Sequence, residues 1–220
     1  MTSWNRLYRA DGMSGLSERD ISRLEAMNVR TIVDLRGSFE QQAMPDIVPQ
    51  GVSYVSCPLM REEITGEDKL TQNSFAQSLV VGYRTMIQDG HDLIGSAVQA
   101  VMEGLERGAV VFHCTAGKDR TGILAAVLLL LLDVAEEDIT ADYQVSYTYN
   151  ARGINRMIDA NPELKAFVEA AGEDSMLHSN PRNIRAVLDL LDRENISGWL
   201  EEAGVTREKQ VRFREMMLEE

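Results

Sequence analysis

Residues 109–132 read AVVFHCTAGKDRTGILAAVLLLLL, and they contain the strongest structural signals of the sequence. Its first five residues, Ala109 to His113, form a short continuous run typical of a strand buried on both faces. Its last ten residues, Ile123 to Leu132, form an apolar run that stops at Asp133, about half the roughly 20 residues that span a bilayer. A polar loop joins the two runs. The stretch therefore predicts a buried strand, a loop and a buried helix in direct succession.

The chain before this stretch also alternates between strand and helix signals. Short β-branched runs, bounded by turn residues, predict strands at 30–35 and 52–56. A capping pattern at Ser17 predicts one helix, and apolar residues at helical spacing predict two more, separated near Gly90 and ended at Gly108.

The chain after residue 113 contains only helical signals. The predicted helices lie at about 121–132, 135–149, 152–160 and 162–171, after the Asn180 cap, and in a last pair from Ser197 and Thr206. Strands that alternate with helices predict an α/β fold: a mostly parallel, short-stranded central sheet flanked by helices, with a helical C-terminal part. Because no long linker divides the chain, residues 1–220 are predicted to form a single domain.

Composition limits the function classes. A hydrophobic fraction of 44% and a charged fraction of 26% are those of an ordinary globular domain and exclude a disordered or collagenous chain. Against 35 acidic side chains there are 22 Lys and Arg, so the net charge is −13. Such a chain repels nucleic acids and anionic membrane surfaces at long range. Nucleic acid is not an expected partner, a membrane lipid is a possible partner that the charge disfavours, and composition gives no oligomeric state.

Cysteine usage indicates a reducing compartment. The chain has only two cysteines, Cys57 and Cys114, which excludes a disulfide scaffold. Its first residues lack the apolar segment of a secretory signal, so a cytoplasmic location is expected. Cys57 has two interpretations: a buried residue at a strand end, which we favour, or a resolving partner for oxidised Cys114.

The loop HCTAGKDRTG at 113–122 carries the chemistry. Between a buried strand and a helix N-terminus, its backbone amides can converge on an anion, and the helix dipole adds positive potential. The same field lowers the pKa of a thiol and favours Cys114 as a thiolate. The planar guanidinium of Arg120 can grip two phosphate oxygens. The predicted phosphate-binding residues are Thr115, Ala116, Gly117, Lys118, Asp119 and Arg120.

From His113-Cys114 to Arg120-Thr121-Gly122, the loop resembles the signature loop of cysteine-dependent protein tyrosine phosphatases. Its Ala-Gly-Lys-Asp-Arg-Thr-Gly version is similar to a bacterial group of this superfamily with dual or triple specificity. Other segments that resemble this group are Leu7-Tyr8-Arg9-Ala10, Val33-Asp34-Leu35-Arg36 with Glu40, Cys57-Pro58-Leu59 and Ala141-Asp142-Tyr143.

The resemblance implies a phosphomonoester hydrolase that acts on a phosphorylated protein or a small phosphomonoester. Cys114 is the expected nucleophile, through a phosphocysteine intermediate, and Arg120 the expected phosphate clamp. The Thr121 hydroxyl is expected to donate to the Cys114 sulfur, and His113 to tune the thiolate through the backbone. No metal or other cofactor is expected.

The general acid is the least determined residue. Asp119 lies inside the loop, where a bound phosphate would raise the pKa of its carboxyl. Most tyrosine phosphatases instead use an Asp on a mobile loop, and the corresponding segment here offers Glu62, Glu63 and Asp68. That segment has no Asp directly after its Pro-Leu pair, and we favour Asp119.

Two rival functions use the same loop. A phosphoinositide or inositol-phosphate phosphatase is the first, although phosphatases of that type often carry a lysine where this chain has Thr115. A phosphate-binding pseudophosphatase is the second, and it would lack the cysteine or the arginine. Lys118 is expected to add positive charge at the rim of the site. Arg36 and Glu40 have two interpretations: contact with the substrate or, as we favour, a structural ion pair behind the loop.

Overall fold

The structure is a computed structural model that describes residues 2–61, 75–171, 177–191 and 195–218. Within these ranges a sheet of four strands has the order β1-β4-β2-β3, and every neighbouring pair is parallel. The strands are β1 (Leu7–Ala10), β2 (Val29–Asp34), β3 (Ser53–Ser56) and β4 (Ala109–His113). The predicted α/β class with a mostly parallel sheet is confirmed.

The described residues also form ten helices, most of them after the last strand. They are α1 (Glu18–Ala26), α2 (Ser38–Ala43), α3 (Phe75–Gln88), α4 (His91–Leu105), α5 (Asp119–Leu131), α6 (Glu136–Ala160), α7 (Pro162–Ala171), α8 (Pro181–Leu188), α9 (Ile196–Glu202) and α10 (Arg207–Met217). The helical C-terminal part is therefore also confirmed.

Local sequence explains several element boundaries. The Ser17 side chain accepts from the backbone N–H of Asp20, and the Asp20 carboxylate accepts from the backbone N–H of Ser17, which completes a capping box for α1. Asn180 caps α8 with Pro181 at the first helical position, and Thr206 caps α10. These helices begin where the capping residues predict.

Three elements differ from the sequence prediction. β1 is a partly buried edge strand, and its four residues pair only with β4, so no hydrophobic pattern marked it. α2 was not predicted, and the Glu40 side chain caps its first turn by accepting from the Gly37 N–H. The helices expected at 135–149 and 152–160 are the single helix α6. Asn150 lies between the two predicted helices, but its side-chain amide binds another segment and does not cap a helix end.

The core places residues 109–132 at the centre of the molecule. β4 is buried along its whole length and lies between β1 and β2. α5 is almost entirely buried, as its apolar run predicts, and packs against α6, α8, α4 and α9. None of the described helices has the length and apolar character needed to cross a membrane. Because parallel strands end at one edge, the ends of β1, β2 and β4 meet where the loop begins.

Candidate active site

Cys114 follows β4 directly, and the loop from Cys114 to Lys118 leads into α5. The Cys114 side chain is buried, with 3% of its surface exposed. The first helical residue is Asp119, so the helix N-terminus faces the loop, and its unpaired amides favour an anion there.

The chain after β1 fixes one side of the loop. The Gly12 N–H donates to the Thr115 carbonyl at 3.1 Å. Gly117 has a φ of +62°, and a Cβ there would stand 2.4 Å from the Ala10 carbonyl oxygen. Only glycine allows this backbone shape and this close approach.

Two side chains hold the next carbonyls of the loop. Arg9 donates through Nη2 to the Gly117 carbonyl at 2.7 Å, and Asn150 donates through Nδ2 to the Ala116 carbonyl at 2.7 Å. Together with Thr115, three successive loop carbonyls are therefore bound from outside. In a trans peptide the N–H points away from the C=O, so the following three amides point to the opposite side. This arrangement is an anion cradle.

Arg120 forms a two-point ion pair with Glu40 at the rim of the loop. Its Nη1 donates to Glu40 Oε2 at 2.5 Å and its Nη2 to Oε1 at 2.8 Å, and the Thr115 hydroxyl also donates to Glu40. The hydrogen bond from Arg120 lowers the pKa of Glu40 to about 2. The Arg120 guanidinium, which is expected to bind phosphate, is therefore occupied by the Glu40 carboxylate.

The expected pair of Arg36 and Glu40 is wrong. Arg36 is fully buried and donates to the Asp34 carboxylate at 2.8 Å, to Asp46 at 2.9 Å and to the Met44 carbonyl at 2.9 Å. Arg36 and Glu40 are close in the sequence, which suggested the pair. The sequence could not show that Asp46 lies at the end of β2, where it binds Arg36.

A buried network lies beside the loop and consists of Asp34, Arg36, Asp46 and His113. Tyr54 donates to Asp34 at 2.7 Å, and His113 Nε2 lies 2.9 Å from Asp46. His113 Nδ1 is 3.1 Å from the Cys114 carbonyl oxygen.

The ligand atoms of Asp34, Asp46 and His113 all lie within 4.8 Å of one another, a spacing that could hold a metal ion. Arg36 already donates to both carboxylates, and a guanidinium repels a cation at the same place. The residues present therefore fit an internal ion-pair network better than a metal site.

Asp119, the favoured general acid, lies at the first turn of α5 with its side chain 32% exposed. The Tyr83 hydroxyl donates to Asp119 Oδ1, and Lys118 Nζ lies 3.4 Å from the same oxygen. Lys118 is buried and also donates to the His178 carbonyl at 3.4 Å, so it does not stand freely at the rim. The alternative acids Glu62, Glu63 and Asp68 lie outside the described residues.

The two remaining predicted residues lie in the core. The Thr121 hydroxyl is buried and has no hydrogen-bond partner among the described residues, so its expected bond to the Cys114 sulfur is not formed here. Cys57 is a free buried thiol at the end of β3, and burial raises its pKa to about 11. A protonated thiol is a poor nucleophile, which favours the structural interpretation of Cys57.

Sequence reasoning assigned no role to the residues of α6 that support the loop. Asp142 accepts from Arg9 at 2.5 Å, Ser146 accepts from Arg9 at 2.8 Å, and Asn150 binds the Ala116 carbonyl. These polar residues are spaced by four and so share one helix face. This row of polar residues at a spacing of four was the signal in the sequence that could have indicated their shared role.

A parallel α/β sheet whose strand β4 leads into a cysteine, a loop whose amides can receive an anion and an arginine is an arrangement typical of enzymes that use a cysteine on a bound oxyanion. The profile of the tyrosine phosphatase family matches residues 1–219, and the chain belongs to that family. The resemblance seen in the sequence is confirmed.

Individual relatives agree with this family. A tyrosine-protein phosphatase from Nostoc commune is 33% identical over 143 residues, covering 64% of this chain. The triple specificity protein phosphatase PtpB from Mycobacterium tuberculosis is 24% identical over 251 residues, covering 97% of this chain and 91% of PtpB. The chain spans about half the length of two relatives: 48% of the Nostoc protein and 55% of one from Cupriavidus necator.

Among solved structures, P. aeruginosa TpbA matches with a TM-score of 0.44 and 16% identity, over 91% of this chain and 87% of TpbA.

Proposed function

We propose that this chain is a protein tyrosine phosphatase that hydrolyses phosphomonoesters through a phosphocysteine on Cys114. The observation that carries the proposal is the orientation of the loop. The carbonyls of Thr115, Ala116 and Gly117 are all bound from outside, so the intervening amides face the place where a phosphate meets the buried thiol.

In the first step, the Cys114 thiolate attacks phosphorus. The S–P bond forms as the P–O bond to the leaving group breaks, and charge on the equatorial oxygens is stabilised by the loop amides and Arg120. The leaving oxygen takes a proton, which we assign to the Asp119 carboxyl. Its place at the helix start, beside the loop, supports this role.

In the second step, water attacks the phosphocysteine and the S–P bond breaks. The Asp119 carboxylate accepts the proton of the water, and inorganic phosphate leaves. We assign to Thr121 a hydrogen bond to the departing sulfur. Its buried hydroxyl is without a partner in the described residues, so it is available to the sulfur when charge develops there.

Substrate binding must open the contact between Arg120 and Glu40. A phosphate dianion offers two oxygens to the guanidinium fork in place of the two carboxylate oxygens. Because Glu40 is one-third exposed, its carboxylate can turn to water at modest cost. Phosphate therefore competes with an internal carboxylate for Arg120.

We further propose a phosphorylated protein or small phosphomonoester as the substrate, with residues 1–220 as one catalytic domain. The net charge of −13 favours a neutral or basic carrier over a phosphoinositide in an anionic membrane. The two free thiols are compatible with work in a reducing cytoplasm.

The test compares para-nitrophenyl phosphate, a phosphotyrosine peptide and a phosphoinositide panel as substrates. Cys114→Ser is expected to abolish turnover, and Arg120→Lys to reduce kcat/KM by about 10²- to 10³-fold, because the planar fork is lost. Cys57→Ser is the matched control and keeps activity, since its thiol is buried and protonated. A chelator leaves the rate unchanged. Turnover that survives Cys114→Ser contradicts the mechanism, and a preference for phosphoinositides contradicts the substrate class.

A further inference from the structure

Two buried tyrosines form a hydrogen-bonded chain that ends on Asp119. Tyr83 of α3 and Tyr143 of α6 each expose only 1% of their surface. Their hydroxyl oxygens are 3.0 Å apart, and the Tyr83 hydroxyl reaches Asp119 Oδ1. Nothing in the loop sequence signals this chain, because both tyrosines look like ordinary core residues.

The direction of the chain follows from counting protons. Tyr83 has one hydroxyl proton, and it goes to the Asp119 carboxylate, the strongest acceptor in reach. The contact between the two hydroxyls then needs the proton of Tyr143. Tyr143 in turn is hydrogen-bonded to the Asn183 side chain, whose amide can donate to its oxygen. Each donor points toward Asp119, so the bonds reinforce one another.

Both tyrosines remain donors throughout the pH range of catalysis. Burial raises the pKa of Tyr83 and of Tyr143, and the negative charge of Asp119 raises both further. Neither hydroxyl gives up its proton, so the chain holds a carboxylate in place and does not act as an acid itself.

The glycine that ends the loop motif makes room for this chain. A Cβ on Gly122 would stand 2.8 Å from Cδ2 of the Tyr143 ring. The ring therefore packs directly against the backbone of α5, three residues after Asp119. This close approach fixes Tyr143 and, through it, the Tyr83 hydroxyl.

We propose that Tyr83, supported by Tyr143, is a positioning residue that holds Asp119 for proton transfer to the leaving group. The proposal rests on the assignment of Asp119 as the acid. Oδ1 is held by Tyr83 and lies near Lys118, whereas Oδ2 accepts no hydrogen bond from the described residues. Oδ2 is thus the oxygen that exchanges a proton with substrate or water, and Tyr83 keeps its own proton throughout.

The experiment measures kcat for aryl phosphates whose leaving groups differ in basicity, from phenyl phosphate to 2,4-dinitrophenyl phosphate. A phenolate needs the proton, whereas dinitrophenolate does not. Tyr83→Phe is expected to lower kcat about ten-fold for phenyl phosphate, the value of one hydrogen bond to a charged group, and much less for the dinitrophenyl ester. A purely structural role would slow both substrates equally.

Two variants make the result specific. Tyr147→Phe is the matched control, because Tyr147 also lies on α6 but forms its hydrogen bond with His178. This substitution should leave the leaving-group dependence of kcat unchanged. In an Asp119→Asn background, Tyr83→Phe is expected to add no further leaving-group dependence. If Tyr83→Phe does not fold, Tyr143→Phe takes its place, with the same pattern at about three-fold size.

The outcomes separate the two proposals. In one outcome, the loss of kcat in Asp119→Asn depends on the leaving group, but kcat of Tyr83→Phe shows the same leaving-group dependence as kcat of Tyr147→Phe. The positioning role of Tyr83 is then overturned, and the assignment of Asp119 as the acid stands. If Asp119→Asn shows no such dependence, the acid assignment fails, and the positioning role fails with it.

Discussion

Two arginine–carboxylate contacts lie beside the loop from Cys114 to Lys118, and they differ in burial. At the rim, the Arg120 and Glu40 side chains are 14% and 33% exposed. In the buried network, Arg36, Asp34 and Asp46 are between 0% and 1% exposed. The chemical groups are the same, but the surroundings decide whether the contact can open.

At the rim, water and phosphate can both replace one partner, so opening the contact costs little. In the buried network, opening would leave an uncompensated charge without solvent. Burial therefore decides which arginine can change its partner: Arg120 at the rim can, and Arg36 in the interior cannot.

The two sites should differ most in stability when the arginine of each is replaced. Arg36→Met leaves Asp34 and Asp46 buried without their cation, so the free energy of unfolding should fall by about 3–5 kcal/mol. Arg120→Met, the matched substitution at the rim, should cost about 1 kcal/mol or less, because Glu40 can turn to water. Urea denaturation of both variants measures the difference. Equal losses would show that burial does not separate the two sites.

A smaller difference in stability is expected when the hydroxyl group that donates a hydrogen bond to each carboxylate is removed. Tyr54→Phe removes a donor to fully buried Asp34 and should cost about 1.5–3 kcal/mol. Thr115→Val removes a donor to Glu40, where water can take its place, and should cost under about 0.5 kcal/mol. Thermal unfolding gives both values, and a larger loss for Thr115→Val would reverse the comparison.

A further difference is the pH dependence of stability that Glu40 contributes at the rim. The pKa of Glu40 is lowered to about 2 in the folded chain from an ordinary value of 4.5, first by its hydrogen bond from Arg120. Its contribution is therefore complete above pH 4.5 and lost as the pH falls toward 2. Glu40→Gln should show a flatter decline in stability across this window. Parallel curves for the two proteins would contradict the ion pair.

The sequence predicted the parts of the site that lie within one segment. Cys114 and Arg120 are six residues apart, and an apolar strand and helix flank them, so local pattern was sufficient. The sequence did not predict that Glu40 would meet Arg120 or that Tyr83 would meet Asp119. These contacts depend on how α2 and α3 pack, and no residue type or spacing within either helix encodes that distance.

The bond from the Gly12 N–H to the Thr115 carbonyl joins segments about a hundred residues apart. A contact of such sequence separation has a loop-closure entropy cost that the contacts within one helix do not have, so we expect it to form later than the helices. An isolated loop peptide would contain the cysteine and the arginine but not the cradle. Return of activity during refolding consequently reports completion of the whole fold, later than the return of helix content.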